Sequence, residues 1–353
     1  MSIRNILRIL AFAAPLCFAS CRAASSLPTP AHTLLSQETP TIVLRPTPLV
    51  PTEELAGHPT CFVPKEILPF AFSPDGVRLF VRTSSGVQIL NLDTGKEEAF
   101  IEAPQSLVVA ALSPDGQTLA WSLEDNSIQL IRLSDQLVSH IFEGHPDAVY
   151  HLRFSPSGDR LFSASHDGWV RIWGTDGTRL PSIDTGREVV GFGVSQDGTM
   201  LATIPFDGPV QLWDLVGNNR IAELEGTGGY DTSDATFSPD GQYLAADLAT
   251  GLFLWRVTDT ALLWNDIKNS MAVTFSLDGR YLAYSNIDDN NNIVLASPDG
   301  IRIIRNIDRM EGAVWELFFS PDSSLLAATD GKEIRIWIVE DGTLLHVGKA
   351  ACP

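Results

Sequence analysis

The five residues Phe72-Ser73-Pro74-Asp75-Gly76 form a phrase that occurs seven times along the chain, at intervals of 38 to 44 residues. The six other copies are Leu112-Ser113-Pro114-Asp115-Gly116, Phe154-Ser155-Pro156-Ser157-Gly158, Val194-Ser195-Gln196-Asp197-Gly198, Phe237-Ser238-Pro239-Asp240-Gly241, Phe275-Ser276-Leu277-Asp278-Gly279 and Phe319-Ser320-Pro321-Asp322-Ser323. In most copies Pro presets φ, Asp bonds back to the backbone and Gly adopts the left-handed conformation, which together form a tight turn. A period of roughly 40–45 residues is typical of four-stranded propeller blades, so the sequence predicts seven of them.

Short stretches of alternating apolar and polar residues follow each of these turns. One strand, such as Tyr281 to Tyr284, leads into a polar turn and then into another strand, such as Val170 to Trp173. This period of two is typical of β-strands, and no window shows a sustained helical period. We therefore predict an all-β fold, a single seven-bladed β-propeller with four-stranded blades over residues 61–353.

The two ends of the predicted propeller indicate how the ring closes. Residues 66–72 are the expected first strand of blade one and residues 343–347 the expected outer strand of blade seven. Each blade would then be continuous in sequence, with no strand exchanged between the ends. Because blades one and seven are neighbours, Cys61 and Cys352 are expected to form a disulfide in an oxidising compartment, with two unpaired thiols as the alternative.

The first twenty residues have the pattern of a signal peptide. Arg4 and Arg8 precede an apolar run from Ile9 to Phe18 that is too short to span a bilayer stably. Residues 21–60 are rich in Pro, Ser and Thr, which is typical of an extended tether. The sequence thus predicts a signal peptide at 1–20, a tether at 21–60 and the propeller at 61–353.

The cleavage region predicts an exported protein and leaves two forms of it open. The segment Phe18-Ala19-Ser20-Cys21 resembles a bacterial lipoprotein box, which implies a lipid on Cys21. A cut after Ala23 or Ala24 would instead remove Cys21. We expect a chain of the bacterial envelope, either membrane-anchored through this lipid alone or extracytoplasmic.

From about Cys61 onward the chain resembles the WD40-repeat family. Blade three carries the residues that match best, which are Gly144-His145, Val149, Phe154-Ser155-Pro156, Ser163, Asp167-Gly168 and Trp173. The resemblance implies a hydrogen-bonded structural chain in that blade, joining His145, Ser163 or Ser165, Asp167 and Trp173. The Trp-Asp pair of the family occurs once, at Trp213-Asp214. The Ser-Pro-Asp-Gly turns are also similar to those of bacterial TolB-like envelope propellers.

The charge and the motifs of the chain exclude several classes of function. A net charge of −19 argues against nucleic acid as a partner, because phosphate binding needs a basic surface. The chain has no Cys-x-x-Cys pair, no His-Glu-x-x-His motif and no Gly-rich phosphate loop before a helix. We therefore predict no catalytic residue, no cofactor and no metal site, and we expect the acidic run at 288–292 to be a solvated loop.

Aromatic residues in predicted loops are the best candidates for a binding surface. The turns between second and third strands share a face with the loops between blades, and Trp169, Phe206 and Tyr230 are expected there. Trp264 and Trp315 are expected to pack between blades instead. The sequence thus favours a non-catalytic protein–protein interaction scaffold that binds one or more unidentified proteins.

Two other functions remain open at this stage. A propeller enzyme of the lactonase or hydrolase type requires Asp, Glu, Asn and His side chains from several blades to converge on the channel. A glycan- or ligand-binding lectin requires a similar aromatic residue at the same place in most blades. The fold alone does not choose between these functions, since propellers host all of them.

Overall fold

The computed structural model describes residues 60–61, 68–229, 234–267 and 270–349. These residues form 29 β-strands, and no helix long and apolar enough to span a bilayer occurs among them. The strands are β1 (Thr60–Cys61), β2 (Leu68–Phe72), β3 (Arg78–Thr83), β4 (Gly86–Asn91), β5 (Lys96–Glu102), β6 (Leu107–Leu112), β7 (Thr118–Leu123), β8 (Ile128–Arg132), β9 (Leu137–Phe142), β10 (Val149–Phe154), β11 (Arg160–Ser165), β12 (Trp169–Gly174), β13 (Ile183–Asp184), β14 (Val189–Val194), β15 (Met200–Pro205), β16 (Pro209–Asp214), β17 (Asn219–Thr227), β18 (Ala235–Phe237), β19 (Tyr243–Leu248), β20 (Gly251–Arg256), β21 (Ala261–Ile267), β22 (Val273–Phe275), β23 (Leu282–Asn286), β24 (Asn292–Ala296), β25 (Ile303–Arg309), β26 (Glu316–Phe319), β27 (Leu325–Thr329), β28 (Glu333–Ile338) and β29 (Leu344–Lys349).

The strands form seven antiparallel blades of four consecutive strands each. Strands β2–β5 make blade one, and every following group of four makes the next blade, up to β26–β29 in blade seven. The first strand of each blade contacts the first strand of the next, and β2 contacts β26, which closes the ring. The prediction of a single seven-bladed all-β propeller with four-stranded blades is therefore confirmed.

The prediction that the ends of the ring exchange no strand was wrong. The short strand β1 pairs in parallel with β29, so that Thr60 lies opposite Gly348 and Cys61 opposite Lys349. Blade seven thus has five strands, the fifth coming from the beginning of the propeller sequence. The outer strand of a blade has unpaired backbone groups along its free edge, and an incoming strand can satisfy some of them.

Six of the seven repeat phrases form a turn that is held by their own serine and aspartate, and in the third phrase Ser155 donates instead to Asp159, just after the phrase. In blade four the Ser195 hydroxyl donates to the carboxylate of Asp197 over 2.6 Å and accepts the N–H of Met200 over 2.9 Å. The Asp197 carboxylate also accepts the N–H of Thr199 over 3.0 Å. Gly198 adopts a φ of +68°, which permits the tight return of the chain.

The serine of the phrase is buried in all seven copies. Its exposed fraction does not exceed 5% at any of the positions 73, 113, 155, 195, 238, 276 and 320. A buried hydroxyl needs hydrogen-bond partners, and the backbone of the following strand supplies them. Only the seventh copy ends in a residue other than glycine, and there Ser323 takes the left-handed φ of +61°.

The hydrophobic core is divided into seven clusters, one between each pair of adjacent blades, among the described residues. The large residue at the end of several third strands fills such a cluster. Trp173 lies in the cluster between blades two and three, Trp255 in that between blades four and five, and Trp337 in that between blades six and seven. These three side chains are at most 3% exposed, as expected for wedges between sheets.

The turn of blade four is expected to make stability depend on acid pH. The bond from Ser195 holds the pKa of Asp197 below its usual 3.8. A lowered pKa stabilises the fold above the unfolded value, and this contribution is lost as the pH falls from about 5 through the lowered pKa. In Ser195→Ala we expect the urea midpoint to be lower at pH 7 and to change less between pH 7 and about pH 3. Equal pH dependence in Ser195→Ala and in a control at the exposed Ser134, Ser134→Ala, would contradict this expectation.

Candidate functional site

The two faces of the ring carry different loops. We call the face with the loops between blades, and with the turns between second and third strands, the connection face. In blade three these two kinds of loop contact each other, since the Ser165 hydroxyl donates to the carbonyl of Asp147 over 3.0 Å. In blade seven the Gly312 N–H donates to the carboxylate of Asp330 over 3.1 Å. The repeat turns join first and second strands and therefore lie on the opposite face.

Blade three contains a continuous chain of four hydrogen-bonded side chains. The Trp173 indole N–H donates to the Ser163 hydroxyl over 2.9 Å, and that hydroxyl lies 2.8 Å from Nε2 of His145. Nδ1 of His145 lies 2.9 Å from a carboxylate oxygen of Asp167. Of the two serines that the sequence left open, Ser163 joins the chain. The chain links the core of the blade to the connection face.

The His145 ring in this chain is neutral. Burial lowers the pKa of His145 to about 4, against the opposing effect of the Asp167 hydrogen bond. A neutral imidazole has one donor and one acceptor nitrogen. Nδ1 lies between the Asp167 carboxylate, which can only accept, and the Arg171 guanidinium, 2.6 Å away, which can only donate. The negative charge of Asp167 is balanced by Arg171, whose guanidinium donates to the same carboxylate over 2.5 Å.

Other blades contain at most part of this chain. In blade four the Trp213 indole donates to the Thr203 hydroxyl over 3.0 Å. The neighbouring Asp214 lies outside such a chain, since its carboxylate accepts the N–H of Val216 in the turn after the strand. The indole nitrogens of Trp255 and Trp337 are buried without a hydrogen-bond partner. Within the described residues, the full set of four is therefore specific to blade three.

Two of the three candidate interface residues lie on the connection face. Trp169 is 36% exposed, and the guanidinium of Arg171 lies 5.8 Å from the centre of its ring. Phe206 is half-buried and packs against the core between blades four and five, so it offers less surface to a partner. Trp169 is the more accessible anchor of the two.

Several sequence predictions concern residues outside the described part of the chain. Tyr230 and Cys21 lie outside it, and so does Cys352. Of Cys61 only the backbone is described, and it lies beside Lys349, three residues before Cys352. The disulfide therefore stays a prediction.

The structure adds two exposed aromatic residues to the connection face. Tyr150 and Trp315 are each 43% exposed. The Tyr150 ring lies 4.3 Å from the ring of His166, which in turn bonds to Glu188 over 2.9 Å. The expectation that Trp315 packs between blades was wrong, because its ring lies over Gly331 in a turn of the connection face.

A cavity of about 660 Å³ occupies the centre of the ring and is lined by residues of all seven blades. Tyr150 and Trp315 line it where it meets the connection face. Arg153 of blade three reaches past blade four and forms an ion pair with Asp234 of blade five. Arg82 of blade one also lines the cavity and donates to the carbonyl of Val108. The channel therefore has an aromatic entrance and a charged wall.

Protein atoms crowd the acids and the histidine of the channel and shift their pKa values, although Glu316 is exposed and Asp234 and His151 are only half-buried. Burial raises the pKa of Glu316 to about 7, and the charge of Asp234 raises it further, although Arg82 and Arg153 oppose the shift. Burial also raises the pKa of Asp234, in spite of its ion pair. The pKa of His151 is lowered to about 4 by burial and by Arg153, so this ring is neutral at pH 7.

A further buried acid lies behind the channel wall. Asp247 is fully buried, and neither of its carboxylate oxygens has a hydrogen-bond partner. Burial, together with the nearby Asp234, raises the pKa of Asp247 well above its usual value. In the described residues no group of three His, Cys, Asp or Glu side chains is placed to hold a metal ion.

The repeat itself carried a signal for these channel residues. When the seven phrases are aligned on their serines, His151, Asp234 and Glu316 all lie four residues before the serine. Tyr150 and Trp315 share the position five residues before it. The sequence interpretation treated this strand only as an apolar element, and it therefore missed the polar and aromatic positions that face the channel.

Two stretches of the chain match a known repeat family. Residues 136–174 and 304–337 match the family model described as WD domain, G-beta repeat. Each stretch runs from the outer strand of one blade through the third strand of the next. The matched unit is therefore offset from the structural blade by one strand.

Three curated relatives illustrate how far the similarity extends. Apoptotic protease-activating factor 1 of Rattus norvegicus is 26% identical over 278 residues, which are 75% of this chain and 22% of that protein. COMPASS component SWD3 of Saccharomyces cerevisiae is 28% identical over 223 residues, 58% of this chain and 66% of the relative. Pre-mRNA-processing factor 17 of Homo sapiens is 24% identical over 209 residues, 56% and 36% of the two chains. The chain thus spans between about a fifth and about two thirds of these eukaryotic relatives.

The hydrogen-bonded chain of blade three is expected to stabilise the propeller measurably. Trp173 and Trp337 are equally buried and lie opposite a leucine in the same register, but only Trp173 has a partner for its indole N–H. We expect Trp173→Phe to lower the free energy of unfolding by about 1–3 kcal/mol more than Trp337→Phe. Urea unfolding measures both. Equal losses would show that the indole bond contributes nothing.

Proposed function

We propose that this chain is a non-catalytic scaffold that binds other proteins through its connection face. The observation that carries the proposal is the group of exposed aromatic side chains on the connection face, Trp169, Tyr150 and Trp315, of which the last two line the channel. Exposed Trp and Tyr side chains are the usual anchors of protein interfaces, because they bury a large area at a low entropic cost. Tyr150 and Trp169 belong to strands β10 and β12, and Trp315 directly precedes β26, so the surface is preorganised for binding.

The relatives support a role in assemblies. The yeast relative is by its name a component of COMPASS, which makes it part of a larger complex. Similarity to WD40 repeats is consistent with the same kind of role here, with a partner whose identity is open. The acidic charge of the chain favours a partner with a basic surface and disfavours nucleic acid.

We further propose that the scaffold is exported and held at the membrane of a bacterial envelope by a lipid on Cys21. The support is the signal-peptide pattern at 1–20, the lipoprotein-like segment that ends at Cys21, and the proline-rich tether at 21–60. A tether of this length would let the propeller meet partners away from the membrane surface.

One observation favours a second function, in which the channel binds a ligand or acts as an enzyme. That alternative requires titratable side chains from several blades to converge, and His151, Asp234 and Glu316 of three blades do line one cavity. The lectin form has less support, because the shared aromatic position is filled only in blades three and seven, by Tyr150 and Trp315, among the described residues.

Replacing the main aromatic anchor is expected to release the partner. We would purify the tagged chain from membranes of its host in mild detergent and identify proteins that co-purify near equal stoichiometry. Trp169→Ala should weaken binding of that partner by about 2 kcal/mol or more. Leu277→Ala is the control, because Leu277 is 52% exposed and lies in the repeat turn of blade six, on the face opposite the connection face. Equal binding by both variants would overturn the assignment of Trp169.

Replacing the proposed lipidated cysteine is expected to release the chain from membranes. Cys21→Ser should move the protein to the soluble fraction and abolish incorporation of a labelled fatty acid. Cys17→Ser is the control, because Cys17 lies within the predicted signal peptide. Intact-mass analysis of the mature N-terminus completes the test. If the mature chain instead begins directly after Ala23 or Ala24, it lacks Cys21 and therefore the lipid anchor, and the protein is a secreted form.

A further inference from the structure

We infer that β9, the outer strand of blade two, is an interface between two copies of this chain, which pair antiparallel along it about a two-fold axis. The inference goes beyond the proposed scaffold function. It concerns the rim of the propeller, which the outer strands of the blades form, and it leaves the connection face free for other partners.

The surface of β9 is apolar. Leu137 is 60% exposed, Val138 46% and Ile141 56%, so half of this six-residue strand consists of large hydrophobic side chains in contact with solvent. β9 is the last strand of its sheet, and among the described residues it pairs only with β8. An exposed apolar strand with a free edge is a template for pairing with another strand.

Strand β9 differs from the other rim strands because it has no charged residue. Strand β5 carries one Lys and three Glu, β17 one Arg and two Glu, β21 one Asp, and β25 two Arg and one Asp. β13 has only two residues, and the edge of β29 is covered by β1. Charged, short or covered edges protect a sheet against pairing with another chain. Among the described rim strands, β9 is therefore the one without such protection.

The irregularity of β9 does not prevent such pairing. Its register against β8 shifts between Leu130 and Ile131 of that strand. Strand β29 has the equivalent shift, between Ile336 and Trp337 of β28, and it nevertheless pairs with β1 on its other edge. An outer strand of this propeller can therefore take up a further strand.

The charge pattern favours a second copy as the occupant of this edge. A two-fold contact brings each surface patch against itself, so a charged rim strand would meet its own charges. The self-contact of β9 brings no charged side chain of the strand against another, in a chain whose net charge of −19 opposes self-association elsewhere. A basic partner, as expected at the connection face, would find no carboxylate on β9.

Antiparallel pairing is complementary at both ends of the strand. It brings Leu137 of one copy next to Ile141 of the other, and the two-fold axis repeats this apolar contact. Glu143, directly after β9, then arrives at the Leu137 end of the other copy, where Arg132 lies opposite Leu137 in β8. The guanidinium of Arg132 can balance that carboxylate as well as that of Asp135, with which it forms an ion pair over 2.9 Å.

The size of the contact determines its strength. A contact confined to a six-residue strand and its flanking turns is expected to bury less than the roughly 1,200 Å² of a standard interface. The dimer should therefore be weak in solution, with a Kd on the order of 10 µM. If the scaffold is anchored as proposed, its copies are concentrated on one membrane, and a dimer offers two connection faces to a partner.

Sedimentation velocity of the full chain over a range of concentrations tests the inference. Cys21→Ser is included in every sample, so that no lipid contributes to association. We expect a monomer–dimer equilibrium, and Ile141→Lys should raise its Kd at least about tenfold, because an ammonium group would be desolvated in each copy. Ile303→Lys is the matched control, since Ile303 is 60% exposed on β25, a rim strand with charges of its own. It should leave the Kd unchanged.

A mixture of two variants shows whether a loss of dimer reflects misfolding. Leu137→Asp should dissociate the dimer as Ile141→Lys does. When the two variants are mixed in equal amounts, dimers should form again, because one end of the strand pair gains an ion pair and the other end keeps its apolar contact. Misfolded chains would not recover in this way.

The outcomes separate this inference from the scaffold proposal. A chain that sediments as a monomer at all concentrations, an unchanged Kd in Ile141→Lys, or a mixture that forms no dimers overturns the inference. Capture of the partner from membranes is measured in parallel. If the chain captures a partner but stays monomeric, the scaffold proposal stands and the dimer inference falls. If it dimerises through β9 but captures no partner, the scaffold proposal fails instead.

Discussion

The buried serine of each repeat turn is the constraint on which the rest of the structure depends. Its hydroxyl donates to the turn carboxylate and accepts the N–H at the start of the second strand, as Ser195 does with Asp197 and Met200. This fixes the angle at which the second strand returns along the first. Because seven turns repeat the same geometry, the blades repeat as well, and the Trp and Leu wedges meet the same kind of gap between neighbours.

The closed ring creates both of the surfaces that matter for function. The connection face collects loops of different length and composition, and Trp169 and Tyr150 of blade three and Trp315 of blade seven are all exposed on it. The channel collects the first strand of every blade. One polar residue in an otherwise apolar strand is ordinary by itself, but at the centre of the ring Arg153, Asp234 and Glu316 line one cavity. The raised pKa values of Asp234 and Glu316 follow from that position.

The blade-three chain shows how far motif reasoning reaches. The resemblance to WD40 repeats named His145, Asp167 and Trp173, and the structure places these side chains in hydrogen-bonding contact through Ser163. It did not foresee the charge of Arg171 beside them, since a third-strand arginine looks like a solvated residue in sequence. The exposure of Trp315 was also not foreseen. The sequence does not show whether a loop residue next to an apolar strand packs between two blades or faces the channel.

The sequence alone determined the number of blades, their order and the all-β class, because the turn phrase is local and each copy needs only its own residues to form. It also marked the wedge residues, since large apolar side chains at a fixed offset have one place to pack. Only the tertiary structure decided that β1 joins blade seven, which residues face the channel and which aromatic rings stay exposed. Those features depend on contacts between residues that are far apart in the sequence. Strands β1 and β29, for example, lie at the two ends of the propeller sequence. A local pattern carries no information about such contacts.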